Sequence, residues 1–342
     1  MNLPDFHVPA GWYILCRSRQ LRQKPRRFMH AGLALVAFRT DHGKIGILED
    51  RCAHRAVPLS AGKVCADTVE CPYHGWQYDC EGKLATVPAL APSAAIPIQV
   101  QLRSWCACEA DGFVWFWSGQ GEASAAPPVF PHYGAPGWTS FVMQTRFGAP
   151  VDACLENFLD CPHATFVHKY WFRAPTKKAV KATVTTLADG AQAEFFEEPR
   201  KQSVVWYLLA PRHGKMQHTD RFIAPNTSRV DYVFPSGLHY IITSVCTPLS
   251  ARETLVHTVI SFRFKGLGWL VRLFFEPLSR WIIRQDVQML ALQQSNLGPA
   301  APSMHSTEAD LLGPHIIAWR KAMLNNTAPP AAGHQRDVDI YL

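Results

Sequence analysis

Two short runs carry the residues with the most chemistry to offer. Cys52-Ala53-His54 is a C-x-H pair, and Cys71-Pro72-Tyr73-His74 is a C-x-x-H pair sixteen residues further on. Two thiolates and two imidazoles make a soft donor set that can surround a metal tetrahedrally. Zinc is the obvious guest. Structural zinc pairs, however, usually keep two or more residues between ligands and rarely mix Cys and His within one pair. A single intervening residue does not easily aim both side chains at one ion. It can place them on two adjacent irons, as in a [2Fe–2S] cluster where two Cys hold one iron and two His the other. His ligation raises the potential of such a cluster above that of all-Cys ferredoxins, which suits a one-electron relay. Pro72, Gly75 and Trp76 suit a tight loop over a buried cluster.

A second dense run is Asn157-Phe158-Leu159-Asp160-Cys161-Pro162-His163-Ala164-Thr165-Phe166-Val167-His168. On a helix Asn157 and Asp160 are neighbours, and so are Asp160 and His163. His163 and His168 lie five apart, about 140° around an ideal helix. They meet only if the helix kinks, bulges or ends between them, and Pro162 disfavours a smooth helix. Asp286 is the candidate third ligand. Its helical neighbours are Ile282, Ile283, Met289 and Leu290, and a carboxylate in an apolar stripe is costly unless it is paired or binds metal. Two His and one carboxylate with open positions form the facial triad of non-haem Fe(II) oxygenases. The competing assignments are a salt bridge to Arg for Asp286, and core or surface positions for the two histidines.

These sites need elements to position them. A chain of 342 residues, 48% apolar and 18% charged, is long enough for two domains with their own cores. Gly11–Leu15, Ala34–Phe38, Ile45–Leu48 and Phe113–Trp117 read as short strands, with turns at Asp41-His42-Gly43 and Asp79–Gly82. The first third is therefore expected to be all-β. The Ala- and Pro-rich stretch around Pro127 and Pro128 interrupts it. Beyond lie a helical segment near 151–170 and strand-like runs at Ser203–Leu209, Arg229–Phe234, Leu238–Thr247 and Thr254–Phe264. Helices are expected near 276–295 and 308–324, with a tail from Asn325 lying over the surface. Strands between helices indicate an α+β domain.

Composition excludes several classes. The net charge of +7 is a mild excess and not a nucleic-acid footprint. The most apolar stretch, Gly266–Ile283, contains Arg272, Glu276, Pro277 and Arg280, so no membrane span is expected. Met1–Asp5 has neither the basic start nor the apolar core of a secretory signal. Ten Cys in this length do not make a disulfide scaffold, and reduced thiols in the cytoplasm are expected.

In this combination the chain resembles a Rieske non-haem iron oxygenase. The resemblance rests on C-x-H and C-P-Y-H-G-W, then N-x-x-D-x-x-H-x-x-x-x-H, then Asp286 followed by Gln293 and Gln294. It covers both domains, and the length is similar to oxygenase components of the dicamba and vanillate O-demethylase type. It implies an α+β chain with an N-terminal all-β Rieske [2Fe–2S] domain followed by a helix-grip (Bet v 1/START-like) catalytic domain. The expected division is 1–120 for the cluster domain, 121–137 for the linker and 138–342 for the mononuclear iron domain. By the resemblance, Cys52 and Cys71 hold one cluster iron, and His54 and His74 the other. His163, His168 and Asp286 hold a mononuclear Fe(II). Asp160 matches an acid that bridges a cluster His of one subunit to an iron-binding His of the next. Asn157 matches a polar residue near the iron that does not always coordinate. Cys161-Pro162 before His163 departs from the small or polar residues more usual there, and Gln285 replaces an acid often found before the late Asp.

The implied activity is a monooxygenase or dioxygenase reaction. It uses O2 and electrons from a separate NAD(P)H-dependent reductase, directly or through a ferredoxin, because no G-x-G-x-x-G is present. A small, aromatic substrate undergoing hydroxylation or O/N-demethylation is the first expectation. A non-aromatic substrate is the alternative, and a Rieske electron-transfer protein without chemistry of its own is a third. The resemblance also implies a homotrimer. Arg17, Arg19, Arg22, Lys24, Arg26 and Arg27 form a run with no acid from Cys16 to Thr40. It is expected either to dock an acidic ferredoxin-type partner or to be a solvated loop. His239, Asn226 and Thr243 are candidates for lining the substrate pocket.

Overall fold

Short apolar runs bounded by turn residues build the first unit of the computed structural model, which describes residues 7–91, 96, 99–123, 125–169, 179–196, 216–234, 237–264, 266, 268–297 and 304–341. The chain divides into two compact units, Met1–Val129 and Phe130–Leu342.

The first unit is all-β, as its strand signals predict. Strands β1 (Trp12–Arg17), β2 (Arg26–His30), β3 (Leu33–Arg39), β4 (Ile45–Glu49), β5 (Lys63–Cys65), β6 (Thr68–Glu70), β7 (Gln77–Tyr78), β8 (Leu84–Thr86), β9 (Ala107–Ala110) and β10 (Phe113–Trp117) form three small sheets, ordered β1-β10-β9, β2-β3-β4 and β5-β6-β7-β8. β3 shows why its sequence is continuously apolar instead of alternating. Leu35 and Ala37 join a core with Tyr13, Ile47 and Phe116, while Val36 and Phe38 join another with Leu48, Leu59 and Tyr78. Both faces of the strand are buried, so both sets of side chains must be apolar. Gly46 on β4 leaves room for the Phe38 ring, which a Cβ would meet at 2.4 Å.

The second unit is built on an antiparallel sheet. Its strands are β11 (Thr139–Phe147), β12 (Ala179–Leu187), β13 (Gly190–Phe196), β14 (Gln217–Ile223), β15 (Thr227–Val233), β16 (His239–Ser250), β17 (Glu253–Arg263) and β18 (Gln335–Tyr341). Among the described residues they run in the order β11-β17-β16-β15-β14-β13-β12-β18. Helices α1 (Val151–Leu159), α2 (His163–Phe166), α3 (Gly268–Asn296) and α4 (Gly313–Leu324) accompany it. The α3 residues Phe275, Ser279, Ile282, Asp286 and Leu290 are buried, a stripe at helical spacing that faces the core. Phe275 packs edge-on to Tyr240 of β16 at 5.5 Å. Among the described residues no helix is long and apolar enough to cross a membrane.

Four expectations are corrected. The helical segment near 151–170 is two helices, interrupted at Asp160–Pro162, where Asp160 takes an extended backbone. The helix placed near 276 starts at Gly268 and runs through Pro277. Pro277 removes one intrahelical bond, but Phe275 anchors the turn before it, and Gly268 approaches β11 so closely that a Cβ would lie 2.0 Å from Thr139 Oγ1. The helix near 308 begins at Gly313, and the tail does not simply lie over the surface. Its residues Gln335–Tyr341 pair with β12 as β18. The strand expected at Ser203–Leu209 lies outside the described residues.

Helix α1 carries Asp152 and Glu156 at i and i+4, with Asp160 just past its end. Burial pushes the Glu156 carboxyl up from its usual 4.5 to about 7, helped by Asp152, Asp310 and Asp160. A folded-state value above the unfolded one means the folded chain keeps a proton that the unfolded chain releases. Stability therefore falls as pH rises from about 4.5 to about 7 and stays lower beyond. Glu156→Gln is expected to melt at the wild-type temperature near pH 4 and above it at pH 8. Thermal melts at the two pH values test this, and equal melting temperatures at pH 8 would contradict it.

Candidate metal centres

In the first unit, two loops of like construction present the Cys and His pairs. In one, Cys52 N–H donates to Val57 O at 2.9 Å and Ala56 N–H to Cys52 O at 2.9 Å. In the other, Cys71 N–H donates to Trp76 O at 2.8 Å and Gly75 N–H to Cys71 O at 3.1 Å. The fourth residue after each Cys takes a positive φ, 57° at Ala56 and 72° at Gly75. At Gly75 glycine is needed twice over, because a Cβ would also meet Pro88 at 2.9 Å. Both Cys are 2% exposed. Tyr78 Oη accepts from Ala53 N–H at 3.1 Å and lies 3.3 Å from Cys52 Sγ, placed to donate to a thiolate. Ser60 N–H and Oγ–H both donate to the buried Asp50 carboxylate, at 2.8 and 2.7 Å, pinning the end of the first loop.

The two imidazoles converge from these loops. The His54 and His74 ring centroids are 4.5 Å apart, and Trp76 stacks on His54 at 4.7 Å with planes 8° apart. His54 Nδ1 is buried with no hydrogen bond among the described residues. A ring nitrogen of this kind offers a lone pair to a metal. Two buried sulfurs and two converging imidazoles from paired loops fit a [2Fe–2S] cluster of the Rieske type.

In the second unit, α2 ends at Phe166, between His163 and His168. The chain turn lets both rings face one point although five residues separate them. Their centroids are 5.2 Å apart. Asp286, from the buried stripe of α3, completes the group. One ligand atom from each of His163, His168 and Asp286 lies within 4.8 Å of the others. His168 Nε2 is 3.1 Å and His163 Nε2 3.7 Å from Asp286 Oδ1.

The far side of each ring fixes its tautomer. His168 Nδ1–H donates to Gln285 Oε1 at 2.7 Å, and His163 Nδ1–H to the backbone oxygen of Asp160. Each Nε2 therefore presents a lone pair toward a carboxylate. Asp286 Oδ1 is itself buried without a hydrogen bond among the described residues. Three converging lone pairs repel one another unless a cation sits between them. The donor set, two imidazoles and a carboxylate, fits a non-haem Fe(II). Gln285 is the acceptor that orients the His168 ring. Gln285→Leu is expected to weaken iron binding about 10–100-fold, read by titrating Fe(II) into the metal-stripped protein. An unchanged affinity would remove Gln285 from this role.

Asp160 and Asn157 stand beside the triad. Asp160 Oδ2 is 3.7 Å from His163 Nδ1, and its side chain is 38% exposed. Asn157 Oδ1 is buried with no hydrogen bond among the described residues. Both line a cavity of about 140 Å³ that also touches His163, His168 and Asp286. Asp160, Asn157 and His163 also line a separate open cleft, bounded by α1, the end of α3 and the start of α4.

The three pocket candidates from sequence are not among the cavity's lining residues. Ile242 and Ser244 line it, so Thr243 between them points to the other face of the strand. Asn226 is 1% exposed, just before β15. His239 pairs with Asp231 at 3.1 Å and sits edge-on to Trp138. His218 and Asp220 line the cavity and were not singled out from sequence. The readable signal was His-x-Asp at strand period, two polar side chains on one face of β14.

Comparisons with known proteins match a family in each unit. Residues 11–105 match the family described as Rieske [2Fe-2S] domain, and residues 147–326, more than half of the chain, match Vanillate O-demethylase oxygenase C-terminal domain. The chain is 36% identical over 303 residues to chlorophyllide a oxygenase, chloroplastic, of Oryza sativa subsp. japonica, covering 84% of this chain and 52% of the relative. It is 32% identical over 175 residues to the probable 3-ketosteroid-9-alpha-monooxygenase, oxygenase component, of Rhodococcus rhodochrous, covering 49% and 43%. The chain thus spans about half the length of the curated relatives it matches. Dicamba monooxygenase bound to dicamba superposes with a TM-score of 0.74 at 18% identity, covering 94% of this chain and 98% of that one. That likeness is one of fold.

Proposed function

The chain belongs to the Rieske non-haem iron oxygenases, and from that premise we propose that it is an oxygenase component that hydroxylates or O/N-demethylates a small organic substrate, using O2 and electrons from a separate NAD(P)H-dependent reductase, directly or through a ferredoxin. The observation that carries this reading is the convergence of His163, His168 and Asp286 on one wall of an otherwise largely apolar cavity. A relay has no use for either. When bound, the cluster supplies single electrons and the mononuclear iron activates O2 for attack on a substrate C–H bond.

The chain's own residues have the following roles in this reading. Residues 1–120 form the cluster domain, 121–137 the linker and 138–342 the iron domain. Cys52, Cys71, His54 and His74 hold the cluster, and the exposed His74 gives electrons a route in and out. His163, His168 and Asp286 hold Fe(II), with Gln285 and the Asp160 backbone fixing the two rings. Asn157 turns an uncommitted polar atom toward the same space. The cavity orients the substrate and keeps bulk water from it.

Asp160 is read as the acid that links subunits of a homotrimer. It is supported by a position on two adjoining cavities, where one carboxylate can accept N–H bonds from two imidazoles. Ten cysteines without a disulfide among the described residues support a reducing compartment, in our reading the cytoplasm.

Arg19, Arg22, Lys24, Arg26 and Arg27 are exposed and are read as the docking surface for an acidic electron donor. Reversing Arg22 and Lys24 to Glu is expected to raise the KM for the donor several-fold at low salt and to flatten its salt dependence. An unchanged salt dependence would leave the run a solvated loop.

Iron and sulfide analysis tests the whole reading. An oxygenase component holds three irons and two sulfides per chain, a relay two and two. Substrate-dependent O2 uptake with a surrogate reductase, scored for formaldehyde release against hydroxylation, then separates demethylation from simple hydroxylation.

A further inference from the structure

Strand register arranges the cavity floor in rows. Side chains two residues apart share a face, and successive rows lie about 7 Å apart. One row crosses His218, Tyr232 and Tyr240. The next crosses Asp220, Val230, Ile242 and Ile260. A third crosses Ser228, Ser244 and Thr258, where Ser244 Oγ and Thr258 Oγ1 share a hydrogen bond of 2.9 Å. The floor is thus aliphatic in the middle, hydroxylated at one end and aromatic at the other. Asp220 is the one charged residue of its row.

Asp220 is 3% exposed, and among the described residues its hydrogen bond comes from His218 Nε2–H at 2.9 Å. His218 is held flat between Phe195 of β13, at 4.4 Å and 12°, and Tyr232 of β15, at 4.3 Å and 19°. These three residues face one another directly across adjacent strands, so the rings form one stack. An imidazole clamped on both faces cannot swing away. It keeps the Asp220 carboxylate aimed along the floor.

Charge along the walls matters as much as shape. The described residues lining the cavity include Asp160, Asp220 and Asp286, but no Lys or Arg. Away from the iron site, a carboxylate substrate would leave water, meet Asp220 and find no guanidinium or ammonium among the described lining residues. A hydroxyl or N–H group would meet a buried anionic acceptor, where a hydrogen bond is at its strongest. The cavity's volume of about 140 Å³ is on the order of one that accepts benzene.

We propose that the His218–Asp220 pair is the substrate anchor of this cavity, and that it selects an uncharged, mainly apolar ring molecule bearing a hydrogen-bond donor over a carboxylate. The inference rests on the oxygenase reading only in taking the cavity as the substrate site. It narrows the substrate class and sets aside the anionic substrate that the chain's net positive charge would permit.

The test uses phenol, benzoate and toluene, three probes of similar size that carry a donor, an anion and neither. Binding to the anaerobic holoenzyme at pH 7.5 is measured by ligand-observed NMR, with no turnover required. Phenol is expected to bind at least about 10-fold more tightly than benzoate. In Asp220→Asn its affinity falls about 10–100-fold while toluene is unaffected. Benzoate binding as tightly as phenol, an unchanged ranking in Asp220→Asn, or no saturable binding of any probe would each overturn the proposal. If Asp220→Asn does not fold, the wild-type ranking decides alone. Because binding is read without product formation, loss of the oxygenase reading would appear in the iron count and not in this ranking.

Discussion

His163→Ala is expected to leave two irons per chain where the wild type holds three, with the cluster's visible absorption unchanged and product formation lower by about 10³-fold or more. The magnitude follows from the site's construction. Losing an outer partner of a metal ligand costs about 10–100-fold in affinity or activity, and losing one of only three protein ligands costs more. His163 Nε2 is 3.7 Å from Asp286 Oδ1, and its removal leaves one imidazole and one carboxylate, a poor match for the open three-ligand geometry. The centres lie in separate compact units, so the cluster provides an internal standard for folding. Iron analysis, the cluster spectrum and product assay are read on one preparation. Full product formation with an intact cluster spectrum would refute the assignment.

Asp160→Asn is expected to keep all three irons and lower steady-state product formation by roughly 10²-fold. The ring of His163 is held by the backbone oxygen of Asp160, not by its side chain, so the change to Asn preserves the hydrogen bond that sets the tautomer. What disappears is a negative charge, 38% exposed, on a residue that lines both cavities. Asn carries one neutral acceptor oxygen in place of two charged ones, so it cannot offer a separate, charge-assisted acceptor to each of two imidazoles. Stopped-flow reoxidation of the dithionite-reduced cluster, with substrate and O2, isolates this step. A wild-type reoxidation rate would show that Asp160 takes no part in electron delivery.

Much of both centres was legible because metal ligands obey short-range rules. The one-residue gap of Cys52-Ala53-His54 argues against a single ion, and the paired loops bring the His54 and His74 rings to 4.5 Å. The five-residue gap between His163 and His168 required a broken helix, and α2 ends between them. Asp286 was readable as a carboxylate in an apolar stripe. The cavity floor was not legible in this way. Thr243 and Ile242 are adjacent in sequence but face opposite sides of β16, and only register decides which side lines the cavity. Asp220 pairs with Val230 of β15, and its place beside Ile242 and Ile260 depends on the register of β16 and β17 beyond, which no local pattern encodes. β18 was hidden by the Ala- and Pro-rich residues before it, although Arg336, Val338 and Ile340 alternate with Gln335, Asp337 and Asp339 at strand period.

That last strand has a consequence for how the protein behaves in concentrated solution. β12 alone would offer a row of open amides beside Val180, Ala182 and Val184, a template for joining another sheet. β18 covers that row and puts Asp337 and Asp339, both exposed, along the new boundary. Two molecules approaching edge to edge there would bring like charges together. Trimming that strand is expected to reopen the β12 edge and to be felt first as lost solubility.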